Sequence, residues 1–214
     1  MTKRLFIDMD GTIANFQDRI VDDDGCFQIE LMYQPDFFKT LKPFDKVIEG
    51  IRQTIRDNSD LEVYIISAAE PGEPPSFILQ KNKWLDEFFP EIDQAHRIFP
   101  LPGENKAKYI PEGISCNDYI LDDYNVNLQE FKNAGGNSIK CINHVNGKGL
   151  GAYGGDIGNH WHGATIKYND NPKTTAYVLK LHMAAAVNAA EKAKENCTEK
   201  ANIPYSLDED EMEI

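Results

Sequence analysis

Asp8 and Asp10 stand two residues apart in Asp8-Met9-Asp10-Gly11-Thr12, directly after the apolar run Leu5-Phe6-Ile7. Side chains at i and i+2 leaving a strand point the same way, so both carboxylates enter the crevice beyond the strand's end. One can attack an electrophile while the other moves protons or helps to hold a metal. At roughly 5% usage per residue type, D-x-D-G-T arises by chance in only about one chain of this length in a thousand. An acidic turn after an edge strand is the bland alternative, and the partners further along the chain decide against it.

Two other strand ends, and lysines between them, supply those partners. The run Val63-Tyr64-Ile65-Ile66-Ser67-Ala68-Ala69 ends in a hydroxyl, and its backbone N–H groups are placed to hold an anionic oxygen. Ile120-Leu121-Asp122-Asp123 brings two more carboxylates. Between these lie lysines at 81 or 83 and at 106 or 108, which the residues alone leave open. Three or four carboxylates in one crevice repel strongly without a cation. Oxygen-only ligands of this kind suit Mg2+, which takes one or two carboxylates together with a substrate phosphate.

The elements that must position these groups are legible as alternating strands and helices. Lys3–Asp8, Leu61–Ser67, Arg97–Phe99, Tyr119–Asp122 and Ser138–Ile142 read as short buried strands. Asp45–Asn58 reads as a helix with Asp45 as N-cap and Val47, Ile48, Ile51 and Ile55 on one face. Ser76–Phe88, stopped by Pro90, and Asn125–Ala134, ended by Gly135-Gly136, are two more. The alternation predicts an α/β fold, a Rossmann-like doubly wound parallel sheet with right-handed crossovers.

Two segments break the alternation. Residues 13–43 hold an acidic run (Asp22-Asp23-Asp24-Gly25) and the aromatics Phe16, Phe27, Tyr33, Phe37 and Phe38. The segment is too long for a turn and too short for a domain, so a small, partly helical cap inserted after the first strand is expected. Gly147–Asn171 is glycine-rich and predicts loops, or a hairpin near Trp161–Ile166. Pro172 then opens a long Ala-rich helix over Lys173–Asn196, and Leu207–Ile214 reads as an acidic disordered tail. The expected organisation is a core of 1–12 and 44–200, a cap of 13–43, and a tail of 201–214.

The bulk properties set outer limits. A chain of 214 residues, 41% hydrophobic and 27% charged, is long enough to bury a substantial core. A formal charge of -13 with no dense Lys/Arg cluster excludes nucleic acid polymers as partners. A small anion can still bind where a few lysines and a divalent cation reverse the local field. No signal peptide is recognisable and no run of about 18 apolar residues exists, so no membrane association is expected. Cys26, Cys116, Cys141 and Cys197 form no C-x-x-C pair, which points to reduced thiols and a cytoplasmic location. The Asp22–Gly25 run lacks the spacing of a calcium loop, and His144, His160 and His162 lack the partners of a zinc site.

D-M-D-G-T, a strand ending in Ser, a Lys and then D-D, in this order, resembles the haloacid dehalogenase superfamily of aspartate-nucleophile phosphatases. Asp8-Met9-Asp10-Gly11-Thr12-Ile13-Ala14-Asn15-Phe16 further resembles the start of the 5'(3')-deoxyribonucleotidases, and Lys81 stands three residues before Trp84 as a lysine does in that family. The similarity runs over roughly residues 3 to 142. It implies that Asp8 is the nucleophile and Asp10 the acid/base, and that Mg2+ sits among Asp8, the Asp10 carbonyl and Asp122, with Asp123 ligating through water or orienting a lysine. It also implies that Thr12 fixes the turn at the phosphate site, and that Ser67, Ala68, Lys81 and Lys106 bind phosphate. Phe16 would face a nucleoside. The expected activity is Mg2+-dependent hydrolysis of a small phosphomonoester, most simply a nucleoside monophosphate. A sugar-phosphate phosphatase and a non-catalytic phosphate-binding protein are the alternatives.

Overall fold

The computed structural model describes residues 2–21, 26–72, 76–143 and 161–185. Among these, six strands, β1 (Lys3–Ile7), β2 (Leu61–Ile66), β3 (Arg97–Ile98), β4 (Asp118–Asp122), β5 (Asn137–Ile142) and β6 (Ala164–Lys167), form one sheet in the order β3-β2-β1-β4-β5-β6. Every pairing is parallel. The chain crosses over through α2 (Asp45–Asp57) between β1 and β2, α3 (Phe77–Phe88) between β2 and β3, and α4 (Asn125–Asn133) between β4 and β5. The short α1 (Gln17–Ile20) precedes them, and α5, over 172–185, follows β6.

Strand alternation divides the core in two. Leu5, Ile7, Val63, Ile65, Tyr119, Leu121 and Ile139 face a large core shared with α2, α3 and the segment 13–43, whereas Phe6, Ile66 and Ile120 face a smaller one closed by Leu128 and Phe131 of α4. Both sheet faces are therefore covered, which is why the strands read as continuous apolar runs. α2 buries Val47, Ile48, Ile51 and Thr54, and at Gly50 it approaches α5 so closely that a Cβ would lie 2.5 Å from the Thr175 Cβ.

The doubly wound α/β architecture is as expected, with three local differences. Asp45 is not the N-cap of α2: Phe44 occupies that position without a side-chain cap, and Asp45 lies in the first turn, where its charge meets the positive end of the helix. Residues near Trp161–Ile166 form no hairpin but the parallel edge strand β6, with Ile139 opposite Ala164 and Ile142 opposite Lys167. Of the expected helix over Lys173–Asn196, the part up to 185 is helical, and Asn171 caps it by accepting a bond from the Lys173 N–H at 3.0 Å. The remainder of that helix, the Asp22–Gly25 run, most of the glycine-rich stretch and the acidic tail lie outside the described residues.

Within 13–43, the described residues include α1 and two 3-10 turns (Ile29–Tyr33 and Phe38–Thr40). Phe16, Ile20, Phe37, Phe38 and Leu41 bury themselves in the large core. α3 anchors this segment twice: the Phe38 N–H donates to Gln80 Oε1 at 2.9 Å, and Trp84 Nε1–H donates to the Leu41 carbonyl at 2.8 Å.

Candidate active site

β1 and β4 are adjacent, but the crossovers leave them in opposite directions along the sheet. Their carboxyl ends therefore border the gap where such folds bind ligands. β1 ends in Asp8 and Asp10, and β4 in Asp122 and Asp123. The β1 turn is tied by the Met9 carbonyl, which accepts from Thr12, Ile13 and Ala14 N–H at 3.3, 3.0 and 2.8 Å. Met9 is buried in the core, which turns its two acidic neighbours to the crevice.

Two lysines sort the carboxylates into two groups. Lys106 Nζ donates to Asp8 Oδ1 at 2.6 Å and to Asp122 Oδ2 at 2.7 Å. Lys81 Nζ donates to Asp10 Oδ2 at 2.5 Å, Ser67 Oγ at 2.9 Å and the Ala68 carbonyl at 2.6 Å, with the Phe38 ring 4.8 Å away. Both lysines are buried. Asp122 also accepts from Tyr124 N–H at 2.8 Å and Asn127 Nδ2 at 3.0 Å. It does not cap α4, whose N-cap Tyr124 has no side-chain capping bond.

Asp123 is held by amides. Gln17 Nε2 and Asn143 Nδ2 both donate to its Oδ2, at 3.0 and 2.7 Å, and Asn143 Nδ2 also donates to the Gly11 carbonyl at 2.9 Å. Gly11 makes room for this arrangement: a Cβ there would lie 2.3 Å from both Asp123 Oδ2 and Gln17 Nε2, and its φ of +79° disfavours any side chain. Gly11→Ala is expected to destabilise the protein by about 1–3 kcal/mol, measured by thermal denaturation.

Electrostatics follow from this packing. Burial pushes the Asp8 carboxyl up to about 7; Lys106 opposes the shift, and Asp122 and Asp10 add to it. Burial, then Asp122 and Asp8, raise Asp123 well above the carboxylate range, against the Asn143 hydrogen bond and Lys106. Burial disfavours the charge on Lys106, but Asp122 and Asp8 outweigh it and raise the amine. Oxygens of Asp8, Asp122 and Asp123 lie within 4.8 Å of one another, a spacing that can hold a divalent cation. Among the described residues Lys106 is the cation paired within this cluster, and the three carboxylates outnumber it when all are ionised, which suits a dication. Two buried oxygens nearby, Asp10 Oδ1 and Gln17 Oε1, have no hydrogen-bond partner among the described residues. The donor set fits a hard, oxygen-preferring ion such as Mg2+.

The structure thus brings together Asp8, Asp10, Ser67, Ala68, Lys81, Lys106, Asp122 and Asp123. Two details differ from the sequence reading. The N–H groups of Ser67 and Ala69 donate to the Ile98 and Pro100 carbonyls at 3.1 and 2.9 Å, so they are committed to the sheet edge rather than open to an anion. Phe16 does not stand open at the crevice mouth: it is 4% exposed, edge-on to Phe37 and stacked on Phe38. Thr12 is buried in the turn with its Oγ1 unpartnered. Sequence reasoning missed Gln17, Asn127 and Asn143. Asn143 was within reach of it, being the polar residue just past β5, whereas Gln17 carries no local signal.

A second concavity, of about 490 Å³, lies at the opposite ends of the strands and is lined by Arg4, Tyr64, Glu112 and Asp118 among others. Its guanidinium is already committed to Asp118 and to the Pro111 and Gly113 carbonyls, so it reads as a structural latch.

No family model matches the chain. A Staphylococcus aureus protein named "Putative 5'(3')-deoxyribonucleotidase" is 30% identical over 112 residues, 52% of this chain and 54% of that one. A Staphylococcus epidermidis protein of the same name is 28% identical over 104 residues, 49% and 50% of the two chains. The chain spans about half the length of these curated relatives. In fold it is similar to D,D-heptose 1,7-bisphosphate phosphatase from Burkholderia thailandensis, with a TM-score of 0.52 at 11% identity over 84% of this chain and 97% of that one. The likeness in sequence to proteins named as deoxyribonucleotidases agrees with the resemblance carried by the motifs, and the likeness in fold agrees with the α/β architecture.

Proposed function

We propose that this chain is a Mg2+-dependent phosphomonoester hydrolase that acts through an aspartyl-phosphate and takes (deoxy)ribonucleoside 5'-monophosphates. The observation that carries the reading is the pairing of Asp8 with Lys106 and of Asp10 with Lys81 on adjoining strand ends.

An Asp8 carboxylate oxygen attacks phosphorus, forming the Asp8–phosphorus bond as the ester P–O bond breaks, and the leaving alkoxide takes a proton from Asp10. Asp10, now ionised, removes a proton from a water whose oxygen attacks the same phosphorus. The bond to Asp8 breaks, and inorganic phosphate leaves. Asp10 Oδ1, without a partner while Oδ2 rests on Lys81, is the oxygen suited to carry that proton. Lys106 offsets repulsion between the attacking carboxylate and the phosphate dianion, and Lys81 with Ser67 and Ala68 borders the phosphate site, Thr12 shaping the turn beneath it. Asp8, Asp122 and Asp123, with the Asp10 carbonyl, would hold Mg2+, which would supply further charge neutralisation. Chelation is expected to lower turnover of p-nitrophenyl phosphate by at least about 100-fold, with recovery on adding Mg2+.

In this reading 13–43 is the cap that closes over a core of 1–12 and 44–200, and 201–214 is a tail. We place the chain in the cytoplasm on the widely spaced cysteines, none in a C-x-x-C pair, which suit reduced thiols; among the described residues no helix is long and apolar enough to cross a membrane. The burial of Phe16 favours a second reading, a phosphatase for sugar phosphates or other small esters, because the aromatic expected to face a base is packed among Phe37 and Phe38. A turnover panel of nucleoside monophosphates against sugar phosphates separates the two, and a flat or sugar-biased profile rejects the nucleotidase.

A further inference from the structure

We propose that Gln17 and Asn143 are positioning residues for the metal cluster, acting through Asp123 to set the affinity for the divalent cation. The proposal rests on the metal role of Asp123 given above.

Both amides end on one oxygen, Asp123 Oδ2, so together they fix the plane of that carboxylate. The ionised carboxylate, the form that holds a cation, accepts and never donates, so each amide then turns its nitrogen toward Asp123, as in the structure. The two residues come from different places, α1 of the segment 13–43 and the end of β5, and Asn143 also holds the Gly11 carbonyl on the β1 turn. All of these groups are buried or nearly so. A lysine in either position would orient Asp123 equally well but would cancel its charge. A neutral amide orients it and leaves its negative charge available to a cation. Gln17 carries a second observation: its Oε1 is a buried acceptor with no donor among the described residues. Mg2+ keeps several of its waters when bound by protein, and such waters are donors. Losing outer partners of a metal ligand typically weakens metal binding about 10–100-fold.

The test is Mg2+ titration calorimetry on the substrate-free chain. Asn143→Leu and Gln17→Met keep side-chain volume and remove the amides. Each is expected to raise the Mg2+ dissociation constant about 10-fold or more. In an Asp123→Asn background the same changes should add less than about 3-fold, because their route to the metal is already lost. Dissociation constants within about 3-fold of the unmodified chain, whatever the melting temperature does, would mean that the amides only hold the fold together, and the proposal fails. Gln17→Met carries the test alone if Asn143→Leu does not fold. Unchanged affinity in Asp123→Asn overturns this proposal while leaving a metal on Asp8 and Asp122. Absence of Mg2+ binding in the unmodified chain overturns the metal reading itself, and this one with it.

Discussion

Asp8→Asn is expected to lower turnover of p-nitrophenyl phosphate by at least about 10^4-fold while leaving the protein folded. The amide has the size of the carboxylate, but its oxygen is too weak a nucleophile to make the bond to phosphorus. Folding should survive because burial, Asp122 and Asp10 already penalise the charge at this position, and only the contact with Lys106 speaks for it. Lys106 retains Asp122 at 2.7 Å. Circular dichroism and thermal melting check the fold, and a phosphate-release assay checks the chemistry. Substantial retained turnover would remove the covalent mechanism.

Trp84→Ala is expected to have the largest effect on stability, about 3–5 kcal/mol, equivalent to a melting temperature lower by roughly 10 °C. Trp84 is fully buried, and its indole N–H holds the Leu41 carbonyl at the end of the segment 13–43. The substitution leaves a cavity and an unpaired carbonyl at once. Lys81 lies one helical turn earlier on α3, so activity should fall by more than the loss of folded protein explains. Trp84→Phe separates the two contributions: it fills most of the space and loses only the hydrogen bond, at a cost of about 1–3 kcal/mol.

Strand ends made much of the site legible before any coordinates. Asp8, Asp10, Ser67 and Asp122 each follow a short apolar run, and a parallel sheet gathers such ends at one edge. The choice of Lys81 over Lys83 came from resemblance, and the structure shows its physical basis: Lys81 is buried on the face of α3 that also carries Gln80 and Trp84. What escaped the sequence has equally local reasons. β6 contains one buried apolar residue, Ile166, so its pattern is too weak to mark an edge strand. Phe16 follows Asp10 closely enough to place it near the crevice, but chain distance carries no information on which way a ring faces. With Phe37 and Phe38 available, it packs. Gln17 and Asn143 act through partners far away in sequence, and no spacing rule reaches across 106 or 20 positions.

The sheet order has a further consequence for how the molecule assembles. β1, made first of the six, lies at the centre, with Lys3 opposite Leu61 and Arg4 opposite Asp118. Neither flank of that strand can be satisfied by a neighbouring hairpin, so long loops must close before its backbone is paired. The strand bearing both leading aspartates therefore waits, incompletely paired, until β4 has been synthesised. A ribosome-bound chain ending before β4 would expose an apolar ribbon, so the interval before β4 emerges is the one in which this fold most needs a chaperone.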